Sequence, residues 1–288
     1  MLWVTGVLGA CFVAIRLGQP YAPPLWFATL RAVLAGVVLV GYSACRRQRP
    51  PTGVRQWGLV GGLGLANATI GFGAMFLAAA RLSTGIASVL ANAQPLLIVL
   101  PAWLLYRERP RPAAMVGLVV GMAGFIVVAL PGGVGSGAAL AIGAAAAATV
   151  GTLLARRLGI LNDVVAAGWS FLIGGAVLAL WAGLAEGVPH IHVTWGLVAS
   201  LAFLAIPGTA GVYVAWFHEA RRCPLYRLAA WTFAVPAFGL LLGVLIKGDR
   251  PSAWTAAGLG IVLTSLWLVL RGGRPVGRAS SPRSDPVA

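Results

Sequence analysis

Apolar runs of about 20 residues recur from one end of this 288-residue chain to the other. A helix of about that length crosses a hydrocarbon layer roughly 30 Å thick. Hydrophobic residues make up 59% of the chain and charged residues only 9%, which leaves too little polar surface to cover a water-soluble globule. Membrane-spanning strands would instead show alternating segments of about 10 residues, which are absent. The sequence therefore predicts an all-α integral membrane protein.

Ten transmembrane helices account for the apolar runs. No basic stretch precedes the first run, so we interpret it as a span and not as a cleaved signal. The predicted spans are 2–18, 24–44, 57–79, 84–105, 112–130, 137–155, 163–185, 195–217, 225–246 and 253–270.

The chain repeats itself at an offset of 141 residues. This shift takes Pro95 to Pro236 and Gly117 to Gly258. It also relates two longer matches, which are the triplet E-R-P at 108–110 with D-R-P at 249–251, and A-I-R-L-G at 14–18 with A-R-R-L-G at 155–159. Two copies of one five-span unit therefore fill the chain. We predict a first repeat over 1–131, a connector over 132–136, a second repeat over 137–271 and a disordered cytoplasmic tail over 272–288.

Basic residues are concentrated in every second loop. Sixteen of the 21 Lys and Arg residues fall in one alternate set of loops and in the tail, and only three fall in the other set. Cytoplasmic loops carry the excess of positive charge, so both termini are predicted to be cytoplasmic in a multi-pass protein of the plasma membrane. Because five spans is an odd number, the second copy must cross the membrane in the opposite sense. The duplication is therefore predicted to be an inverted repeat.

Several functions lack the residues that they need. The net charge of +15 comes from short loop clusters and not from one face of a folded domain, so nucleic acid is not an expected partner. Three scattered cysteines fit no metal site, and no phosphate-binding G-x-x-x-x-G-K-[ST] motif occurs. Six acidic residues supply no carboxylate pair within the bundle. We expect no enzyme activity, cofactor or metal, and leave the oligomeric state open.

Polar and aromatic side chains within the spans are the candidates for binding a small molecule. Polar groups are costly against lipid, so they should face the bundle interior or a wet cavity. Such groups also stabilise helix packing by about 0.6 kcal/mol each, which is the simpler role for any one of them. The candidates in the first copy are Asn67, Thr69, Phe72, Ser88, Asn92, Gln94 and Pro95. Those in the second copy are Tyr213, Trp216, Trp231 and Thr232.

Arg31 is a further candidate, and it lies about a third of the way into the second span. A cation at that depth is costly unless it is paired or extends to the interface. It could bind a substrate carboxylate. It could also anchor the helix, because its aliphatic stem is long enough to carry the charge to the outer interface.

Several motifs resemble those of a known group of transporters. They are G-A-C-F-V-A-I-R-L at 9–17, P-P-L-W-F-A-T-L-R at 23–31, N-A-Q-P-L-L at 92–97 and E-R-P at 108–110. Their order and the five-plus-five arrangement resemble the drug/metabolite transporter superfamily, in particular proteins with two EamA-type domains. The resemblance implies a ten-helix carrier that exports amino acids and other small metabolites by alternating access. It also implies a central cavity between inverted halves, on spans 1, 3, 4, 6, 8 and 9.

The favoured hypothesis is thus a secondary exporter of small amphipathic metabolites, such as amino acids or related compounds. A carrier of nucleotide sugars or lipid-linked metabolites is an alternative within the same superfamily. A membrane-embedded lipid-modifying enzyme and a non-transporting scaffold are alternatives of other classes. A scaffold should have a dry, fully packed interface between its halves.

Overall fold

A computed structural model of the chain describes residues 1–82, 84–108, 112–129, 135–159, 161–247 and 253–271. Within these ranges the regular secondary structure is helical throughout. The helices are α1 Leu2–Gly18, α2 Pro24–Cys45, α3 Gly53–Arg81, α4 Thr84–Ala91, α5 Gln94–Tyr106, α6 Pro112–Ala129, α7 Ser136–Ala155, α8 Asp163–Glu186, α9 Trp195–Ala220, α10 Leu225–Ala230, α11 Val235–Lys247 and α12 Ala253–Arg271. The predicted tail, most of the predicted connector and the D-R-P triplet lie outside the described residues.

Seven helical segments in the described ranges are long and apolar enough to cross a membrane. They are Leu2–Tyr21, Pro24–Cys45, Gly53–Arg81, Ile86–Tyr106, Ser136–Ala155, Asp163–Glu186 and Trp195–Ala220. The other three predicted spans fall on α6, on α10 with α11, and on α12. Their described apolar stretches are shorter, as in Pro112–Gly124 and Ala256–Val269. A helical multi-pass protein is therefore confirmed, while the count of ten spans stays a prediction.

The helices are interrupted at places that the repeat relates. A π-helical segment, Leu65–Phe72, interrupts α3, and another, Ile206–Gly211, interrupts α9. Their first residues are 141 positions apart. In the same way, the chain breaks between α4 and α5 at Asn92 and Ala93, and a 3₁₀ turn, Trp231–Ala234, joins α10 to α11. The repeat is therefore preserved in backbone conformation even where the residue types have diverged.

Helices α6 and α12 are repeat equivalents, and they pack against each other through a contact that occurs twice. A Cβ on Gly117 would lie 3.1 Å from the carbonyl oxygen of Ser265, and a Cβ on Gly124 would lie 3.0 Å from that of Gly258. The 141-residue shift converts the first pair into the second. Such reciprocal contacts are the signature of two-fold related surfaces. An approximate two-fold axis therefore relates α6 to α12.

Helices α2 and α8 form the second pair of equivalents that pack together. A Cβ on Gly36 of α2 would collide with Leu172 of α8, and Gly175 of α8 lies close to Val33 of α2. Small residues let two helix backbones approach this closely. The two halves thus meet along equivalent helices, and the interrupted helices α3 and α9 lie near this junction.

Candidate functional site

A cavity of about 100 Å³ lies between the two halves of the bundle, large enough for several water molecules. Helices of both repeats contribute to its wall. Eight of the twelve candidate residues line it: Arg31, Asn67, Phe72, Asn92, Gln94, Tyr213, Trp216 and Thr232. Their role in substrate binding stays a prediction, but the fold brings them into one space from five separate predicted spans.

The other four candidates do not line this cavity. Thr69 is buried against α8, where its hydroxyl donates to the carbonyl oxygen of Gly174 at 2.8 Å. Ser88 is buried beside α11, close to Gly239. The expectation that all polar candidates of α3 and α4 line one cavity is therefore wrong for Thr69 and Ser88. Successive side chains of a helix face different neighbours.

Pro95 and Trp231 are the remaining two. Pro95 lies at the start of α5, where its missing N–H removes no helical hydrogen bond. Trp231 begins the 3₁₀ turn after α10 and is partly exposed. Both residues shape helix breaks and neither faces the cavity.

Arg31 is the most buried charged residue in the described ranges, with 1% of its surface exposed. Its Nε donates to the hydroxyl of Thr209 at 2.8 Å, and its Nη2 donates to the carbonyl oxygen of Gly208 at 3.1 Å. Its guanidinium carbon lies 4.2 Å from the centre of the Phe72 ring. The expectation that the side chain extends to the outer interface is therefore wrong. The charge points into the bundle, where it links α2 to the interruption of α9.

The π-helical interruption of α9 creates the acceptors for Arg31. Pro207 has no N–H, and the Thr209 hydroxyl donates to the carbonyl oxygen of Leu204 at 2.7 Å. The same hydroxyl accepts the Arg31 bond, so one threonine satisfies the helix and holds the cation. Mid-helix π segments are frequent at functional sites because they redirect backbone and side-chain groups.

Asn67 occupies the interruption of α3. Its side chain lies directly against Gly151 of α7, where any Cβ would collide with the amide. The amide is buried, and Nδ2 has no hydrogen-bond acceptor among the described residues. A buried N–H without a partner costs about 1–3 kcal/mol, so Asn67 is held ready for an acceptor that a ligand could supply.

Thr152 and Cys11 line the cavity and were not among the predicted residues. The Thr152 hydroxyl accepts hydrogen bonds from Gln94 Nε2 at 2.7 Å and from Trp216 Nε1 at 2.9 Å. Cys11 lies 3.9 Å from Nη2 of Arg31 through its Sγ atom. The resemblance pointed to spans 1 and 6 without naming residues. Cys11 and Thr152 are polar residues on those two spans, so combining the resemblance with residue polarity could have identified them.

The described acidic residues lie at helix ends and not in the cavity. Glu108 pairs with Arg156 and accepts from the backbone N–H of Leu225 at 2.8 Å. Asp163 pairs with Arg221 at 2.7 Å. The Glu108 carboxylate therefore joins the two repeats near the ends of α5 and α7, and the Asp163 carboxylate joins the ends of α8 and α9 within the second repeat.

Glu186 stabilises the opposite set of helix ends. Its carboxylate accepts hydrogen bonds from the backbone N–H groups of Leu25 and Trp26 at the start of α2. Negative charge is favourable at a helix N-terminus, where these N–H groups have no helical partner. Among the described residues, no group of three or more His, Cys, Asp or Glu side chains could hold a metal ion.

Sequence comparison identifies the family. A profile of the EamA-like transporter family matches residues 1–130 and 135–271. The chain belongs to the EamA-like transporter family. The resemblance inferred from the motifs is confirmed, and this EamA-like protein is a multi-pass membrane transporter.

Curated relatives cover most of the chain. A chloroplastic WAT1-related protein of Arabidopsis thaliana is 27% identical over 276 residues, which are 91% of this chain and 66% of the relative. Protein PecM of Dickeya dadantii is 29% identical over 269 residues, 91% of this chain and 88% of PecM. YedA, an uncharacterized inner membrane transporter of Escherichia coli K12, is 24% identical over 271 residues, 92% and 88% of the two chains.

A solved crystal structure shares the fold. It is 24% identical in sequence, has a TM-score of 0.74, and aligns over 92% of this chain and 94% of its own.

Proposed function

We propose that this EamA-like protein is a secondary transporter that exports small amphipathic metabolites, such as amino acids or related compounds, by alternating access. The observation that carries the proposal is the cavity between the two halves, which is lined by the interruption of α3 and by the part of α9 that follows its interruption. Carriers built from inverted repeats bind their substrates at such interrupted helices, between the halves. A scaffold would instead have a dry, packed interface.

The proposed topology is ten spans in two inverted repeats, with both termini in the cytoplasm and the protein in the plasma membrane. Residues 1–131 form the first repeat and 137–271 the second. The reciprocal packing of α6 on α12 supports a two-fold relation between the repeats. The excess of arginine in alternate loops supports the orientation.

Alternating access requires that the ends of the bundle open in turn. In this proposal the Glu108–Arg156 pair closes the inner end by joining the two repeats, and the Asp163–Arg221 pair holds two helix ends of the second repeat together. Pairs that remain partly exposed are weak, about 0–1 kcal/mol each, so they can be broken and reformed in a transport cycle. The outer end is joined by Glu186 to the start of α2 and by Arg81 to Ser136.

Transport by the purified protein tests the proposal. The protein is reconstituted in liposomes and assayed with a panel of amino acids, organic acids, amines and amides, for uptake and efflux, with and without a proton gradient. We expect at least one compound to cross faster than in empty liposomes, and the excess rate to fall in a Gln94→Ala variant. If no compound crosses in either direction, with or without the gradient, the proposal is wrong.

A further inference from the structure

Arg31 has one donor nitrogen without a hydrogen-bond partner among the described residues. Its Nε and Nη2 are bonded to Thr209 and Gly208, and the Phe72 ring supports the guanidinium plane. Its Nη1 is buried and makes no hydrogen bond to any described residue. The guanidinium lines the cavity. The protein therefore fixes the orientation of the cation and leaves Nη1 without an acceptor among the described residues.

Among the described residues, the cation also has no ionic partner of its own. The four described acidic residues lie elsewhere: Glu108, Asp163 and Glu186 bind at helix ends, and Glu219 ends α9 close to Arg222. Asp249 and Asp285 are outside the described residues. A buried charge is strongly unfavourable without a counter-charge and hydrogen bonds. A bound anion would supply both.

Asn67, in the interruption of α3, indicates the same ligand chemistry. Its Nδ2 is buried and has no acceptor among the described residues, and Asn67 lines the same cavity. The unsatisfied side-chain atoms of the described cavity-lining residues are thus both N–H donors. A ligand that satisfies them must present oxygen acceptors, and a carboxylate presents two oxygens with about four lone-pair sites.

The remaining residues of the cavity wall determine which chemical group the other end of the ligand can carry. Most of the wall is apolar, and its aromatic side chains include Phe12, Trp216 and Phe217. Trp216 Nε1 is already bonded to Thr152, so this region offers mainly apolar ring surface. Such a wall favours a branched or aromatic apolar body over a sugar or a second charged group.

We propose that the transported ligand is a small monocarboxylate with an apolar body and no cationic group, and that Arg31 binds its carboxylate. This inference rests on the proposed function and narrows its substrate class. A monoanion neutralises Arg31 and leaves the cavity without net charge. An amino acid zwitterion brings an ammonium group for which the described wall holds no carboxylate, and an amine adds a second cation.

A matched set of four ligands separates these charge states. Phenylacetate, phenylacetamide, 2-phenylethylamine and phenylalanine share one ring and differ in charge. Binding to the intact protein in lipid nanodiscs is measured at pH 7.5 by calorimetry. Charge-assisted hydrogen bonds are stronger than neutral ones, so we expect phenylacetate to bind about 10- to 100-fold more tightly than its amide. The amine and phenylalanine are expected to bind more weakly than the acid.

Variants of Arg31 complete the test. Arg31→Gln should lower phenylacetate affinity about 100-fold and leave phenylacetamide affinity within about threefold. Arg31→Lys keeps the positive charge but loses the planar guanidinium, so it should lower phenylacetate affinity about tenfold. This variant provides the test if Arg31→Gln does not fold. The control is Arg55→Gln, an equal change of charge at an exposed site near the start of α3, and it should leave both affinities unchanged.

Two results would overturn the carboxylate inference: equal affinity for the acid and the amide, or unchanged acid affinity in both Arg31 variants. Transport of amines or amides in place of acids would refute only the inference that the substrate is a monocarboxylate. The proposal that the protein is a transporter would stand. Failure of the whole liposome panel would instead refute the proposed function.

Discussion

The indole Nε1 of Trp216 donates a hydrogen bond of 2.9 Å to the hydroxyl of Thr152. Gln94 donates to the same oxygen, and the hydroxyl itself donates to the carbonyl oxygen of Ala148 at 2.9 Å. A threonine hydroxyl has one proton and two lone pairs, so every hydrogen-bonding position of Thr152 is used. This single side chain joins α5, α7 and α9 at the cavity wall.

Replacing Thr152 with valine keeps the shape and removes the hydroxyl. Trp216 Nε1 then loses its acceptor inside the bundle, which should lower the free energy of unfolding by about 1–3 kcal/mol. Thermal unfolding in detergent measures the change. Thr149→Val is the matched control, because Thr149 is equally buried on α7 and only donates to the carbonyl oxygen of Ala145. Equal shifts in the two variants would contradict this account of Thr152.

Asn92 and Trp231 were both predicted from sequence to contact substrate, and the structure separates them. The Asn92 amide lines the cavity and donates to the carbonyl oxygen of Ser88 at 2.6 Å, while Trp231 lies away from the cavity. We therefore expect Asn92→Ala to lower the transport rate at least about tenfold, as for other lost polar ligand contacts. Trp231→Ala should retain most of the rate.

Liposome flux per reconstituted molecule measures this difference for the panel compound that is transported fastest. Expression in the membrane is checked for each variant, so that loss of protein is not mistaken for loss of rate. A larger effect at Trp231 than at Asn92 would show that the cavity is not the substrate path.

The three cysteines should differ in reactivity. Cys223 lies in the turn between α9 and α10, where burial, and then the nearby Glu219 carboxylate, raise the pKa of its thiol to about 11. Only the thiolate reacts with maleimides, so Cys223 should react slowly at neutral pH, and its rate should rise about tenfold per pH unit up to that pKa. Cys45 is exposed at the end of α2.

Labelling with N-ethylmaleimide compares two single-cysteine variants, with serine at the other positions. At pH 7.5 we expect Cys45 to react at least about tenfold faster than Cys223. Between pH 7.5 and 9 the Cys223 rate should keep rising by about tenfold per pH unit, because its thiol stays largely protonated below the raised pKa. Equal rates at pH 7.5 would mean that the turn opens in solution.

Much of the architecture was predictable because it depends on patterns that the sequence repeats. The 141-residue offset predicted the duplication, and the π-helical segments that start at Leu65 and Ile206 keep that offset in their backbone. Pro95 lies in the first turn of α5, a position where a residue without an N–H fits a helix start. Such features are local, and local chemistry decides them.

The details of the cavity were less predictable, because they depend on which helices meet. For Arg31 the sequence left open whether the side chain binds a substrate carboxylate or extends to the outer interface, since it could not show that the interruption of α9 would offer Thr209 and Gly208 as acceptors. Thr152 was missed because buried threonines commonly bond their own helix, as Thr149 does. Only the packing of α5, α7 and α9 gives Thr152 its two additional donors.

Helices α3 and α8 touch backbone to backbone at Gly174. A Cβ on Gly174 would collide with the carbonyl oxygen of Gly64, and the carbonyl oxygen of Gly174 accepts the Thr69 hydrogen bond at 2.8 Å. Gly174→Ala must therefore separate the two helices next to the interruption of α3. We expect it to lower the free energy of unfolding by about 1–3 kcal/mol, the usual cost of overpacking.

Gly183→Ala on the same helix provides the control. A Cβ at Gly183 meets nothing within 4 Å, so alanine there should be neutral or stabilise the helix by up to about 1 kcal/mol. Thermal unfolding of both variants gives the stability difference, and liposome flux gives the functional one. Because Gly174 sets the distance of α8 from the segment that carries Asn67, we expect Gly174→Ala to reduce transport even at temperatures where the protein stays folded. Normal transport by folded Gly174→Ala would show that the position of the α3 interruption does not govern the cavity.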